Sequence, residues 1–233
     1  EIGWAPLTGD EPVRWVTEGL SWGITEFELS PDGRRGAFVS NENGVSRLYL
    51  FDAARLRWRA APSIPTGIIY GLRFDEDGRR LGMTVSTPSA GREAMVLSLG
   101  RSPTAGRRLT AWTDGQPGDA ERSSLVSPTL FSFTSTLPGQ DRALQIPGFA
   151  YVPPGRGPFP VVIYFHGGPE SQFRPSFHEQ VQLWASRMGV AVLAPNYRGS
   201  LGYGAGYLAL DDGRRREDVL LDIEALLDLI EKA

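Results

Sequence analysis

The sequence predicts two fold classes in succession: blades of an all-β propeller in residues 1–124, then the first half of an α/β domain in residues 125–233. The first prediction depends on a repeat of short strands and Asp-Gly turns. The second depends on buried strands that alternate with amphipathic helices, a pattern typical of a parallel sheet. We therefore expect two domains, with the boundary after residue 124.

A ten-residue pattern occurs twice, at an offset of 45 residues: residues 29–38 read LSPDGRRGAF and residues 74–83 read FDEDGRRLGM. Aspartate and glycine tolerate the positive φ that tight hairpin turns need. Short strands follow each turn, and several strands within about 40–50 residues are typical of a propeller blade. Two unrelated hairpins of a β-sandwich are the alternative interpretation.

Residues 125–233 change in character. The apolar run Val161–Phe165 predicts a strand buried on both faces, and Val190–Ala194 predicts a second one. Between them, a capping box of Ser176 and Glu179 predicts the start of a helix. A last amphipathic helix is predicted over Arg215–Glu231. The residues expected on its inward face are Val219, Ile223, Leu226, Leu227 and Ile230.

Composition argues against several functions. The net charge is −3 and the one basic block is Arg214–Arg216, so we expect no nucleic-acid partner. No cysteine and only two histidines are present, and we expect neither a metal nor a cofactor. No apolar run approaches the roughly 18–20 residues of a membrane span, so we expect no membrane partner. We expect a cytoplasmic protein; the periplasm and secretion stay open, because the chain begins at Glu1 and a leader can have been removed.

The motif His166-Gly167-Gly168-Pro169 follows the first predicted buried strand. Acyl transfer builds negative charge on a carbonyl oxygen, and backbone N–H groups aimed at that oxygen stabilise it. In α/β-hydrolases an HGGG-type turn does this work. We therefore expect Gly167 to be the N–H donor of an oxyanion hole. A tight strand-to-helix turn without a catalytic role is the alternative.

Neither histidine is expected to be a catalytic base. The triad histidine of this fold follows the nucleophile in the chain, whereas His166 precedes any such serine, so we assign His166 and Gly168 to shaping the turn. His178 is expected on the solvated side of a helix. Gly19-Leu20-Ser21-Trp22-Gly23 matches the nucleophile-elbow pattern, but an alternating strand follows it and not a helix, so we interpret it as part of a blade.

A loop rich in glycine and aromatic residues, residues 196–204, follows the second buried strand. Ligands of open α/β sheets bind at the carboxyl ends of the strands. Tyr197 and Arg198 are therefore candidate substrate-binding residues. The alternative for Arg198, which we favour, is a structural ion pair with an acidic residue such as Asp211 or Asp212.

These residues resemble bacterial members of the prolyl oligopeptidase family, nearest to its acylaminoacyl and dipeptidyl peptidase branch. The most specific matches are residues 166–172 (HGGPESQ) and 196–204 (NYRGSLGYG). Residues 30–33 and 43–50 resemble its last propeller blades, and residues 146–149 resemble its first hydrolase strand. Residues 217–230 resemble the helix before its nucleophile strand.

The resemblance implies a serine peptidase in which a β-propeller caps an α/β-hydrolase domain and restricts entry to short peptides. It also implies that the Ser, Asp and His of the triad lie beyond residue 233, so that Gly167 is the only residue of this sequence to which a catalytic role of the family can be assigned. We therefore expect residues 125–233 to be an incomplete α/β-hydrolase (peptidase) domain and the chain to be a fragment that is inactive alone. Its expected partners are a short peptide substrate and the remainder of the same protein or a complementary chain; homo-oligomerisation is open.

Two other functions remain open from the sequence. The first is a carboxylesterase on the same fold, because a fold alone does not decide the substrate. The second is a non-catalytic module whose propeller binds a protein partner. The choice between exopeptidase and endopeptidase also stays open.

Overall fold

The structure is a computed structural model, and it describes residues 1–8, 12–62, 64–116, 118, 121–137, 139–168 and 170–232, without the side chains of residues 140–142. The chain divides into two compact units, Glu1–Gly115 and Gln116–Ala233. The predicted domain boundary after residue 124 lies inside the second unit. Within the described ranges, no helix is both long enough and apolar enough to cross a membrane.

The described residues of the first unit form ten strands in three antiparallel sheets. Strands β1 and β2 form a two-stranded sheet, β3 to β6 form a four-stranded sheet in chain order, and β7 to β10 form a second one. The strands are β1 (Gly3–Trp4), β2 (Arg14–Trp15), β3 (Ile24–Leu29), β4 (Arg35–Glu42), β5 (Val45–Asp52), β6 (Arg57–Ala60), β7 (Ile68–Phe74), β8 (Arg80–Thr87), β9 (Ala90–Leu99) and β10 (Gly106–Ala111).

Each copy of the sequence repeat lies in its own four-stranded sheet, at the turn between the sheet's first two strands. Gly33 and Gly78 take positive φ values of 66° and 62° there, which glycine adopts without steric cost. The Asp75 carboxylate accepts hydrogen bonds from the N–H groups of Arg79 and Arg80, at 2.8 and 3.0 Å. The repeat thus encodes the same hairpin twice.

Apolar side chains fill the space between the two four-stranded sheets. Val39 and Leu50 of the first sheet and Leu81 and Leu97 of the second belong to this core and are fully buried. The opposite face of the first sheet carries aromatic residues that pack against the N-terminal segment. Ser21, the serine of the nucleophile-elbow pattern, precedes strand β3 and not a helix. The strand-to-helix turn that such a nucleophile needs is therefore not formed there, as predicted.

In the second unit, the strands that the structure describes form one mixed sheet in the order β11-β12-β14-β13. Strand β13 runs parallel to β14, whereas β12 runs antiparallel to both of its neighbours. The strands are β11 (Thr129–Leu137), β12 (Gln140–Tyr151), β13 (Val161–Ile163) and β14 (Ala191–Pro195), and the helices are α1 (Glu179–Gln182), α2 (Ala205–Leu208) and α3 (Val219–Glu231). Short 3₁₀ turns cover Arg122–Ser124, Ala209–Asp211 and Gly213–Asp218, and a π-helical turn covers Leu183–Arg187.

The strand predicted over Val161–Phe165 is shorter and more exposed than expected. It forms only over Val161–Ile163, and Val161 remains 39% exposed while the next two residues are half-buried. Among the described strands its one partner is β14. An apolar run cannot tell a central strand from an edge strand, because the difference depends on which strands pair with it.

The helices also depart from their predicted limits. Helix α1 begins at Glu179 with His178 as its N-cap and has no capping side-chain bond, so the predicted capping box is wrong; the Ser176 hydroxyl lies 3.1 Å from His178 Nε2 instead. Helix α3 begins at Val219 because residues 213–218 form a 3₁₀ turn. Leu226 is buried against Phe133 and Ile146, whereas Leu227, predicted inward, is 46% exposed.

Candidate functional site

Two residues separate the end of β13 from His166, Gly167 and Gly168, which lie in a segment without regular secondary structure that we call the glycine turn. Both glycines are exposed, and neither N–H group has a hydrogen-bond acceptor within the part of the chain that the structure describes. A Cβ built on Gly167 would meet nothing within 4 Å, and neither glycine has a positive φ. Neither an unusual conformation nor close packing therefore requires glycine at position 167, and the backbone N–H of Gly167 is accessible. Pro169 of the predicted motif lies outside the described residues.

His166 lies beneath this turn and is buried. Its Nδ1 is 2.9 Å from the carbonyl oxygen of Gly167, and its Nε2 is 2.9 Å from Ser200 Oγ. The imidazole stacks on the ring of Tyr197, with centroids 4.5 Å apart and an angle of 11° between the planes. The Tyr197 hydroxyl donates to the His166 carbonyl oxygen at 2.9 Å, and burial raises the pKa of Tyr197, which keeps that donor proton in place.

The contact between Ser200 and His166 has the distance of a nucleophile–base pair, but it cannot act as one. Ser200 is fully buried, and its hydroxyl lies between His166 Nε2 and the carbonyl oxygen of Tyr197. The other ring nitrogen of His166 faces a backbone carbonyl and not a carboxylate. The pair therefore joins two backbone segments and offers no hydroxyl to a substrate.

Arg198 is held by a buried carboxylate that the sequence predictions missed. Its side chain is fully buried, and Nη2 lies 2.6 Å from Asp222 Oδ1 on α3. The backbone N–H of Arg198 donates to Asp222 Oδ2 at 2.9 Å, and Nη2 also donates to the carbonyl oxygen of Thr136 on β11 at 2.8 Å. The guanidinium thus faces α3 and β11.

The predicted ion-pair partners of Arg198, Asp211 and Asp212, are wrong. Asp211 packs against Gly199, where an added Cβ would lie 2.2 Å from the carboxylate, and Gly199 has a φ of 83°. Asp222 could have been found from its position, because it lies between Val219 and Leu226 on a helix face predicted to be apolar. A buried carboxylate requires a partner, and the sequence does not say which arginine supplies it.

Asn196 is a second residue that the site predictions missed. It is fully buried. Its side-chain amide accepts a hydrogen bond from the N–H of Phe173 at 2.7 Å and donates to the carbonyl oxygen of the same residue at 3.1 Å. The N–H of Leu201 also donates to the Ser171 carbonyl at 2.8 Å. The segment that follows the glycine turn is therefore fixed by the same loop that holds His166.

A cavity of about 270 Å³ lies beside the turn. Phe165, Gly168, Tyr197 and Ile223 line it together with the charged residues Asp211 and Arg216. Its volume is close to the lower limit of about 300 Å³ for small-molecule sites. Of the predicted site residues, the structure brings His166, Gly167, Gly168 and Tyr197 together at this place, while the guanidinium of Arg198 is directed elsewhere.

No protein-family profile and no curated protein matches the sequence. Solved structures do match. An acylaminoacyl peptidase in complex with Z-Gly-Gly-Phe-chloromethyl ketone is 22% identical, with a TM-score of 0.67 over 96% of this chain and 34% of that chain. Prolyl oligopeptidase B from Galerina marginata, bound to a 35mer hydrolysis and macrocyclization substrate, is 13% identical, with a TM-score of 0.77 over 95% of this chain and 30% of that chain. Dipeptidyl peptidase 4 from Porphyromonas gingivalis is 17% identical, with a TM-score of 0.67 over 91% of this chain and 30% of that chain.

The chain has the fold of the prolyl oligopeptidase family. It spans about a third of the length of these solved structures. The part of the chain that the structure describes is mostly β-sheet, with four sheets and few helices, which matches the propeller part of the prolyl oligopeptidase fold.

The two histidines predict a pH dependence of stability. Burial lowers the pKa of both His166 and His178 from their ordinary value of 6.5; His178, expected to be solvated, is half-buried and stacks on Phe173. The unfolded chain then binds more protons than the folded chain below pH 6.5, so the free energy of unfolding falls as the pH is lowered through 6.5.

Urea denaturation at about pH 7.5 and about pH 5.5 measures this change. The carboxylates whose pKa is lowered, such as Asp75 and Asp52, titrate below the ordinary aspartate value of 3.8 and do not contribute in that range. We expect the loss of stability to be smaller in H166N and H178N than in the wild type. If the wild type and both variants lose the same free energy of unfolding between the two pH values, the assignment of this loss to His166 and His178 is contradicted.

Proposed function

We propose that this chain is part of a serine peptidase of the prolyl oligopeptidase family and that the N–H of Gly167 stabilises the oxyanion of its acyl-transfer reaction. In this proposal residues 1–124 are the last blades of a β-propeller and residues 125–233 are the N-terminal part of an α/β-hydrolase domain. The observation that carries the proposal is the pair of exposed, unpartnered N–H groups at Gly167 and Gly168, on a turn held from below by buried side chains.

In this proposal the turn contributes to catalysis by electrostatic stabilisation of the transition state. When a nucleophile attacks a peptide carbonyl, the oxygen gains negative charge, and a fixed N–H donor stabilises that charge without reorganising. The stack of His166 on Tyr197 fixes the carbonyl side of the turn, so the amides are oriented before a substrate arrives. Removing one such donor typically costs about 10²–10³ in kcat.

The nucleophile, its base and its acid are assigned to polypeptide outside these 233 residues. The two described Ser–His contacts, His166 with Ser200 and His178 with Ser176, include no carboxylate, and the first is buried. The remainder of the parent protein would then supply the triad and the other wall of the cavity beside Gly168. On this proposal the 233-residue chain alone has no hydrolytic activity.

Short peptides are the proposed substrates, because the solved structures that share this fold are peptidases. A carboxylesterase would use the same turn, since the oxyanions of esters and amides are alike. A non-catalytic interaction module would have no need of accessible turn amides, and their exposure favours catalysis.

Labelling with a fluorophosphonate probe tests this proposal. We expect the full-length gene product to react at a serine outside residues 1–233 and the 233-residue chain to remain unlabelled. Heat-denatured protein is the control for nonspecific reaction. A full-length product that stays unlabelled and hydrolyses neither peptides nor esters would contradict a hydrolase. Turnover of esters without turnover of peptides would favour the carboxylesterase.

A further inference from the structure

The loop of residues 196–201 holds the glycine turn at both of its ends. Tyr197 and Ser200 contact His166 at the first end, and Asn196 holds the backbone of Phe173 at the second. The loop itself is fixed to α3 by Arg198. The position of the Gly167 amide is therefore decided by this loop and not by the exposed turn itself.

The hydroxyl of Ser200 lies between two acceptors, Nε2 of His166 and the carbonyl oxygen of Tyr197. The Gly167 carbonyl can only accept, so Nδ1 of His166 carries a proton that it donates there. In the neutral imidazole Nε2 then has a lone pair and needs a donor. The hydroxyl of Ser200 reaches both Nε2 and the carbonyl oxygen of Tyr197. The carbonyl also accepts the backbone N–H of Ser200 at 3.1 Å, which leaves the hydroxyl proton for Nε2, and the described residues show no other donor to Nε2.

Burial favours the neutral imidazole that this scheme requires, because it lowers the pKa of His166. The groups that face the ring are the Tyr197 phenol, the Gly167 carbonyl and the Ser200 hydroxyl. No carboxylate of the described residues contacts the ring. Without the Ser200 hydroxyl, the buried Nε2 loses its donor, and only the stack on Tyr197 and the bond to the Gly167 carbonyl still hold the ring beneath the turn.

We propose that Ser200 is a positioning residue for the oxyanion hole: its hydroxyl orients the His166 ring, and the ring in turn fixes the carbonyl of Gly167 and the amides beside it. The inference rests on the proposed function. Ser200 itself touches no substrate, because it is fully buried. It therefore affects the transition state, in which the amides carry charge, more than the binding of the substrate ground state.

The test compares S200A with S135A in the full-length protein. Both variants remove a buried hydroxyl that contacts the 196–201 loop, since Ser135 Oγ accepts a hydrogen bond from Arg198 Nη2 at 3.1 Å, but only Ser200 reaches His166. We count the active sites by fluorophosphonate titration, so that unfolded protein does not enter kcat. The expected result is a kcat about 10–100-fold lower in S200A, with KM changed by less than about threefold. We expect S135A to keep its kcat per titrated site.

A double-mutant cycle with H166N decides whether Ser200 acts through His166. The shorter asparagine amide cannot reach Ser200, so the S200A change should cost little further kcat in the H166N background. Two outcomes would overturn the inference about Ser200 and leave the proposed function standing. In the first, the wild-type protein labels and S200A keeps its kcat. In the second, the losses of kcat in the double-mutant cycle are additive. A wild-type protein that does not label would overturn the proposed function instead.

A measurement on the wild-type protein remains available if S200A does not fold. In ¹⁵N NMR spectra of histidine-labelled protein, with the His166 signals assigned by their loss in H166N, we expect the proton on Nδ1 and a hydrogen-bonded lone pair on Nε2. A proton on Nε2 with a bare Nδ1 would overturn the assignment of Ser200 as the donor, whether or not the protein is a peptidase.

Discussion

Replacing Asp222 by alanine is expected to lower the free energy of unfolding by about 3–5 kcal/mol. The carboxylate is 1% exposed and faces a guanidinium that is fully buried. Its removal leaves the buried Arg198 cation with the more distant and partly exposed Asp218 carboxylate, 4.0 Å from Nη1, and it also removes the acceptor of the Arg198 backbone N–H. Urea denaturation of the full-length protein, followed by circular dichroism, measures the loss.

Asp228 provides the matched control for this substitution. It lies on the same helix and forms an ion pair with Lys232 at 3.4 Å, but its side chain is 70% exposed. Ion pairs in water contribute about 0–1 kcal/mol, so D228A should unfold nearly as the wild type does. Equal effects of D222A and D228A would mean that the buried pair does not hold α3 to the 196–201 loop.

Replacing Gly167 by proline is expected to lower kcat about 10²–10³-fold. Proline has no backbone N–H, so the substitution deletes the donor that we assign to the oxyanion. The site is exposed and open, and we therefore expect the folded protein to persist. Steady-state kinetics of the full-length enzyme, normalised to folded protein, provide the measurement.

Two variants separate the donor from the shape of the turn. G167A keeps the N–H, and its Cβ meets nothing within 4 Å, so we expect kcat to stay within about threefold of the wild type. G168P strains the turn in a similar way and removes the Gly168 N–H, but it leaves the Gly167 N–H, the donor that we assign, in place. A G168P variant as impaired as G167P would contradict the assignment of Gly167 as the donor.

Short sequence patterns correctly predicted the elements that depend on the conformational preferences of neighbouring residues. The repeated Asp-Gly pairs lie in hairpin turns at Gly33 and Gly78, because few residues other than glycine adopt a positive φ there. The parallel pairing of Val161–Ile163 with β14 agrees with the alternation of strands and helices in the sequence.

Pairings between distant residues could not be predicted in the same way. Arg198 and Asp222 meet because β11, the 196–201 loop and α3 pack together, and Asp211 and Asp212 were equally plausible partners from the sequence. The exposure of Val161 depends in the same way on which strand lies beside β13. The hydroxyl of Ser200 finds His166 across 34 residues, a distance that no local pattern encodes.

The route from Asp222 through Arg198 and Ser200 to His166 ties an exposed turn to the interior of its own unit. A substitution in α3 that frees Arg198 is therefore expected to loosen the Gly167 amide from a distance, without any contact of its own to that amide.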